Sequence, residues 1–326
     1  MLPSFRLILP CILSLHVGWA VASDVFQFAL LGDMPYRLEP GEHSVDFDYL
    51  VQAINKDWDI KWVLHAGDIK SSRSPCSDAM LLDRYQRFNQ FNKPFILTPG
   101  DNEWTDCHRV SAGEFQPRER LDKLRQVFWH DPAHSLGRKP MAVTSQSSIS
   151  GFESFSENVY WVKDNLLFFT VHMVGSKNGL QSFDRNSYVQ RSGKDVDEVK
   201  RRTRAAIYWV QHVFAYARSK NISGIFMLMH ADPGIGRPVR RSSAYYSFIS
   251  ALEQAVRSYG KPVMLAHGDT HFYRLDRPTL ASGIPLPNFT RVITPGGTSS
   301  LWLRITVDPS SKDIFHVRLE DTDSGE

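Results

Sequence analysis

The chain has 326 residues, 42% hydrophobic and 22% charged, which suits a globular protein with a substantial core and excludes a disordered or low-complexity one. A net charge of +3, mixed along the chain rather than gathered on a basic face, carries no nucleic-acid-binding signature and gives no reason to seek an acidic membrane surface.

The N-terminus stands apart. "MLPSFR" is a short basic start, "LILPCILSLHVGW" is apolar, and "AVA" before Ser23 is a small-x-small cleavage pattern. Residues 1–22 read as a signal peptide whose apolar stretch is too short to span a bilayer. The remainder, 23–326, is expected to be one exported domain (extracellular, periplasmic or secretory-lumen) with no membrane span. Once Cys11 leaves with the signal peptide, Cys76 and Cys107 are either one disulfide or two buried thiols, and export favours the bridge. The sequons at Asn221 and Asn288 matter only where the host glycosylates exported proteins.

From there strands and helices alternate. "VFQFALL" reads as a strand and "SVDFDYLVQAINKDW" as an amphipathic helix capped by Ser44. "KWVLHA" and "PFILT" are strands, separated by the helix "SDAMLLDRYQRFNQF" and followed by "QPRERLDKLRQVFWH", with Pro117 near its start. This βαβαβα order implies a mostly parallel sheet. "GRKPMAVTSQSSISG" reads as a loop, and "FESFSENVYWVKDNLLFFTVHMV" as a hairpin turning at Asp164-Asn165. A long helix from Val196 to Ser219, the strand "GIFMLMH", the helix "SAYYSFISALEQAVRSY" and the strand "KPVMLAH" come next. "TRVITPG", "LWLRITVD" and "IFHVRLE" are the closing strands. The fold class is α/β: two mixed sheets packed face to face with helices outside.

Four of the apolar runs end in Gly-Asp, at Asp33, Asp68, Asp101 and Asp269. Glycine permits a sharp turn at the strand end, where parallel sheets bind ligands, and the following Asp then points into the crevice. One such pair is a common turn, but four converging carboxylates repel unless cations hold them. His230 ends another strand, and His267 and His271 flank Asp269. Carboxylate and imidazole donors without thiolate point to a hydrolytic site for Mn, Fe or Zn, and two such ions form the clamp used in phosphoryl transfer.

"LGDMPY", "AGDIKS", "PGDNEW", "LMHADP" and "HGDTHFYR" occur in that order across residues 26–274. In this the chain resembles the calcineurin-like metallophosphoesterase superfamily, which includes the purple acid phosphatases. The resemblance implies a β-sandwich flanked by helices, with two divalent or trivalent transition-metal ions at one sandwich edge. It implies that Asp33 and His271 bind the first metal, that His230 binds the second, and that Asp68 bridges both. Departures from the pattern fall at Asp101, where the family has an Asn ligand, and at Asn102, where it has the His that assists the leaving group. Asp269 replaces the first His of Gly-His-x-His, Pro35 a ligand His of many members, and Ser71 the Tyr of purple acid phosphatases.

The extra carboxylates, Asp101 and Asp269 as metal ligands, favour hard ions such as Mn or Fe over pure Zn. Asn102 can hydrogen-bond a catalytic oxygen but delivers no proton at neutral pH. His108, His172 and His267 are possible substitutes as acid, with none favoured. Glu103 is expected to orient the third motif rather than to bind metal. Tyr36, Asn178 and Arg237, the last beside Arg240 and Arg241, are candidate substrate contacts, against a background of ordinary packing, turn chemistry and solvated charge.

The function expected is an exported phosphoesterase, acting on small or polymer-borne phosphate mono- or diesters with metal-bound hydroxide as nucleophile. A catalytically impaired binding protein of the same fold is the alternative. A glycoside hydrolase would explain the aspartates but not the histidines.

Overall fold

The computed structural model describes residues 24–36, 38–297 and 300–322, so the expected signal peptide lies outside the described residues. The first half follows the predicted order: β1 (Phe26–Leu31), α1 (Val45–Lys56), β2 (Ile60–His65), α2 (Asp78–Phe88), β3 (Phe95–Leu97) and α3 (Pro117–Phe128). The helix starts sit where local chemistry puts them. The Ser44 hydroxyl accepts from the Phe47 N–H, Ser77 does the same for Met80, and Pro117 opens α3 where no N–H is needed.

The short strand β4 (Thr144–Ser145) lies within the stretch read as a loop, and is followed by β5 (Val159–Lys163) and β6 (Leu166–Thr170). The β5–β6 hairpin turns at Asp164 and Asn165, with φ of 49° and 58°, which Asp and Asn tolerate. After a short turn, α4 (Gly175–Asn178), whose Ser176, Lys177 and Asn178 are left-handed with φ of 48°, 56° and 57°, comes α5 (Gly193–Ser219). This helix starts earlier than Val196 because the Asp195 carboxylate accepts from the Ser192 N–H and hydroxyl. The order then runs β7 (Gly224–Leu228), α6 (Tyr246–Tyr259), β8 (Val263–His267), β9 (Arg274–Asp276), β10 (Phe289–Ile293), β11 (Leu301–Val307) and β12 (Phe315–Asp321). β9, absent from the sequence reading, is a three-residue edge strand without an apolar run to betray it.

Five strands form one sheet in the order β12-β11-β1-β2-β3, and seven form the other as β4-β5-β6-β7-β8-β10-β9. β1, β2 and β3 are parallel, as are β6, β7, β8 and β10. The central strands are apolar on both faces because each face meets a different layer. Phe28, Trp62, Phe168 and Phe226 pack between the sheets, with Phe28 and Phe226 edge-to-face at 5.0 Å. Ala29, Leu31 and Val63 turn outward onto α1, α2 and α3, and Leu167, Ile225 and Met227 turn onto α5 and α6. Each fully buried aromatic or aliphatic side chain contributes about 1.5–3 kcal/mol.

This layering brings the carboxyl ends of β1, β2 and β3 to the same sandwich edge as those of β7 and β8. The motif loops all leave from that edge. Elsewhere, the Asn288 amide donates to the carbonyls of Val256 and Lys261, so this sequon nitrogen is committed to tying the start of β10 to α6 and the loop after it.

Candidate metal centre

The turns that follow the strands are unusual in their backbone. Asp33, Asp68, Asp269 and His271 have φ of 56°, 57°, 76° and 61°, a left-handed conformation uncommon outside glycine and costing about 1–3 kcal/mol where it is strained. Two neighbouring glycines make the close approach of the loops possible. A Cβ on Gly100 would lie 2.2 Å from the Asp68 nitrogen, and one on Gly268 would lie 2.4 Å from Asp33 Oδ2.

Six of the predicted residues converge. Asp33, Asp68 and His230 offer ligand atoms within 4.8 Å of one another, as do Asp101, His230 and Asp269. His230 Nε2 lies 2.9 Å from Asp101 Oδ1, 3.3 Å from Asp68 Oδ1 and 3.9 Å from Asp269 Oδ1. His271 Nε2 is 3.4 Å from Asp33 Oδ1. The Asp269 N–H donates to Asp33 Oδ1 at 3.0 Å, and the Asp232 N–H to Asp269 Oδ2 at 3.0 Å. Asp33 and His230 are wholly buried, Asp68 and Asp101 nearly so, and Asp269 and His271 open to the crevice.

Neighbouring groups orient these donors. Glu103 Oε1 accepts from the N–H groups of Gly100 at 2.6 Å and Asp68 at 3.2 Å, the orienting role expected for it. The Asn102 N–H donates to Asp68 Oδ1 at 3.0 Å while its side-chain amide donates to Asp68 Oδ2 and, at 3.2 Å, to the Tyr36 hydroxyl. Tyr36 in turn donates to Asp68 Oδ2 at 3.1 Å and stands 3.4 Å from His271 Nε2. Asn102 therefore faces Asp68 and Tyr36, whereas Asp101 faces His230.

The electrostatics fit a cation site. Burial pushes the Asp68 carboxyl well above the usual range, with Asp101, Glu103 and Asp33 adding to it and His230 opposing. Burial likewise raises Asp269, helped by Asp101 and Asp33. Burial by itself would lower His230, but the charges of Asp68, Asp101 and Asp269 raise it well above an ordinary imidazole. Carboxylates packed this closely ionise together only beside positive charge, and an oxygen-rich set with two imidazoles matches a hard or borderline transition metal. The donors present fit the metals that the motifs imply.

Other predicted residues fall elsewhere. Asn178 is wholly buried, accepting from Arg202 Nη1 and donating to Thr203 Oγ1 at 3.0 Å, so its polar groups are spent inside the fold rather than on a substrate. Arg237, Arg240 and Arg241 are exposed on the loop after β7 and do not line the crevice. The histidines considered as substitute acids do not line it either. His108 stacks on Phe183 at 4.0 Å and accepts from the Asp184 N–H. His172 is buried against Glu157 at 2.7 Å, and His267 is buried with Nδ1 on its neighbour's carbonyl, Gly268 O, at 3.0 Å. Burial holds all three imidazoles down to about 4, so they are neutral at pH 7.

The crevice, a cavity of about 740 Å³, is also lined by residues that the motifs do not mark. Arg73, Asp106 and Arg109 line it together with Ser72 and Ser74. Asp106 is pushed up to about 7 by burial and by the Asp101 charge, and it accepts from Ser176 Oγ at 2.9 Å while pairing with Arg109. Cys76 and Cys107 are bridged, with Cα atoms 5.7 Å apart, and join the loop carrying Arg73 to the turn carrying Arg109. That proximity was the available signal: Arg73 stands just before one cysteine and Arg109 just after the other.

A family model described as calcineurin-like phosphoesterase matches residues 26–273. No curated protein matches the chain. Among solved structures, "GAP50 the anchor in the inner membrane complex of Plasmodium" is similar over 91% of this chain and 89% of its own, at 10% identity and a TM-score of 0.45. Vps29 of Chaetomium thermophilum is similar over 90% and 94%, at 8% identity and a TM-score of 0.26. With its matched region spanning all five motifs from β1 to the turn after β8, the chain belongs to the calcineurin-like phosphoesterases.

Proposed function

We propose that this protein is an exported, metal-dependent phosphoesterase working through a dinuclear site. The observation that carries the reading is the convergence of Asp33, Asp68, Asp101, Asp269, His230 and His271 at one sandwich edge. Asp33 and His271 would hold one ion, Asp101, His230 and Asp269 the other, and Asp68 stands between the two groups. Such ions supply Lewis acidity, polarising phosphoryl oxygens and acidifying water.

The chain's own residues do the positioning. Glu103 fixes the loops of the second and third motifs relative to each other through Gly100 and Asp68. Asn102 and Tyr36 hold Asp68 Oδ2 and present an amide and a hydroxyl toward the crevice. The disulfide favours the export half of the reading, since structural disulfides persist in oxidising compartments. Among the described residues, no helix is long and apolar enough to cross a membrane.

One observation favours a second reading, a metal-binding protein of this fold with impaired catalysis. Asn102 cannot donate a proton as an acid, and His108, His172 and His267 all lie away from the crevice. The two readings separate in one assay, in which the purified chain is loaded with Mn, Fe or Zn and given a chromogenic phosphate ester. Turnover abolished by a chelator and restored by metal supports the enzyme. Bound metal without turnover of any ester supports the binding protein.

A further inference from the structure

The crevice is acidic on its lining, with Asp68, Asp101, Asp106 and Asp269, and an anionic substrate entering it needs positive charge beyond what ligates metal. Two guanidinium-bearing residues line it, Arg73 and Arg109. We propose that Arg73 and Arg109 form an anion clamp that selects terminal, dianionic phosphate monoesters over diesters. This rests on the phosphoesterase reading of the same site.

The loop that carries Arg73 is held at several points. Lys70, buried beneath it, donates from Nζ to the carbonyls of Ser71 at 3.1 Å and Ser74 at 2.9 Å. The Ser71 and Ser74 hydroxyls pair at 3.0 Å, and the Arg73 N–H donates to Ser71 Oγ at 3.3 Å. Downstream the Cys76–Cys107 bridge and the Cys76 N–H to Ala112 carbonyl bond, 2.9 Å, anchor the loop to the turn bearing Arg109. Entropy of ordering this backbone is therefore lost on folding and not on substrate binding.

The two arginines differ in a way that suits a clamp. Arg109 pairs with Asp106, which fixes its direction. Arg73 is exposed and, among the described residues, its guanidinium makes no ion pair. An arginine beside four carboxylates that pairs with none of them has its donors free for an incoming anion. Guanidinium forks onto phosphate oxygens in pairs, and a monoester near neutral pH carries almost two charges on three terminal oxygens. A diester carries one charge on two such oxygens, so the pair of arginines discriminates by charge and by donor count.

The test uses the metal-loaded full chain, wild type, Arg73→Gln and Arg73→Lys. Inorganic phosphate binding is titrated by calorimetry, and kcat/KM is measured for a matched aryl monoester and diester. Arg73→Gln should weaken phosphate binding about tenfold and lower the monoester-to-diester kcat/KM ratio by a similar factor, mostly through the monoester KM. Arg73→Lys should recover only part of the phosphate affinity, because an ammonium is a point charge without the fork. Wild-type phosphate affinity in Arg73→Gln, or an equal loss for both esters, overturns the clamp. If wild type turns over neither ester, the phosphoesterase reading falls, and the phosphate titration still decides the clamp. Metal content and melting temperature equal to wild type would show that Arg73→Gln reads the anion and not the fold.

Discussion

His230 Nδ1 lies 2.8 Å from the carbonyl oxygen of Ala66, the residue that precedes Gly67 and Asp68. A carbonyl only accepts, so Nδ1 carries the proton and Nε2 is turned toward Asp68 and Asp101. The ring that serves one motif is thus aimed by the backbone of another, across the two sheets. His230→Ala should lower bound metal from about two equivalents to one or fewer and reduce turnover at least 100-fold. Elemental analysis of the dialysed protein checks the metal, and retention of two equivalents would sink the assignment.

Asp101 and Asn102 are adjacent but face different partners. Asp101→Ala should lose metal, and Asp101→Asn should keep a weaker oxygen ligand at the same place. Asn102→Ala should retain metal but release Asp68 Oδ2 and Tyr36, lowering turnover about 10- to 100-fold. Titration of metal into each apo variant distinguishes them. Metal loss in Asn102→Ala with none in Asp101→Ala would reverse the roles.

Without a proton donor at position 102, the leaving oxygen departs as an anion, and turnover should depend steeply on leaving-group acidity. Aryl esters should outpace alkyl esters by a factor of about 10²–10⁴, the usual worth of a general acid. A series varying only the leaving group measures this, and a flat dependence would mean that another residue supplies the proton.

Gly268→Ala would place a methyl 2.4 Å from Asp33 Oδ2, closer than any relaxed contact. Either the turn after β8 or Asp33 must shift, at a cost of about 1–3 kcal/mol for overpacking. Thermal melting should fall and metal affinity with it, since Asp269 donates to Asp33 from this same turn. A variant with wild-type metal affinity would show that the loops can separate without cost.

His172 and Glu157 should make stability sensitive to acid. Burial holds His172 down to about 4, below the unfolded value of 6.5, so the unfolded chain binds the extra proton between those pH values. The contribution of His172 should therefore be complete above about pH 6.5 and fall by about 3 kcal/mol as pH drops to about 4. Burial opposes ionisation of Glu157, but Arg125 and His172 hold its carboxyl below the usual range, so a second loss begins below its unfolded value of 4.5. Urea midpoints against pH for wild type and His172→Gln measure this, and the variant should lose His172's share of the dependence between pH 6.5 and 4 while His108 and His267 keep theirs. An identical slope in both proteins would remove His172 from the account.

Reducing the Cys76–Cys107 bridge, which spans 31 residues, should cost about 3.5 kcal/mol in the chain-entropy model. Cys76→Ser with Cys107→Ser should lower the melting temperature at equal metal content. Two freely alkylated thiols in unreduced exported protein would contradict the bridge.

Much of the site is written locally. A Gly-Asp after an apolar run specifies both a sharp turn and a carboxylate at the strand end, and four such turns with the strand-end His230, in order, announce which family folds this way. The same holds for Ser44, Ser77 and Pro117, whose effects act within one helical turn. Asn178 shows where local reading stops: it stands after a strand like a substrate contact, yet Arg202 on α5 takes its side chain into the core. His108, His172 and His267 have the chemistry of an acid, but only the packing of Phe183, Glu157 and the sheet interior decides that they face away from the crevice. Tyr36, Arg73 and Arg109 make the opposite case. The motif places Tyr36 beside Asp33, but the neighbours of Arg73 and Arg109 mark them as ordinary loop residues, and the crevice acquires all three because two sheets pack face to face and a disulfide joins two loops. Sequence by itself determined the elements and the donors they carry, because propensity, capping and turn chemistry act over a few residues. Tertiary structure alone decided which donors meet, because meeting depends on side-chain packing between segments far apart along the chain.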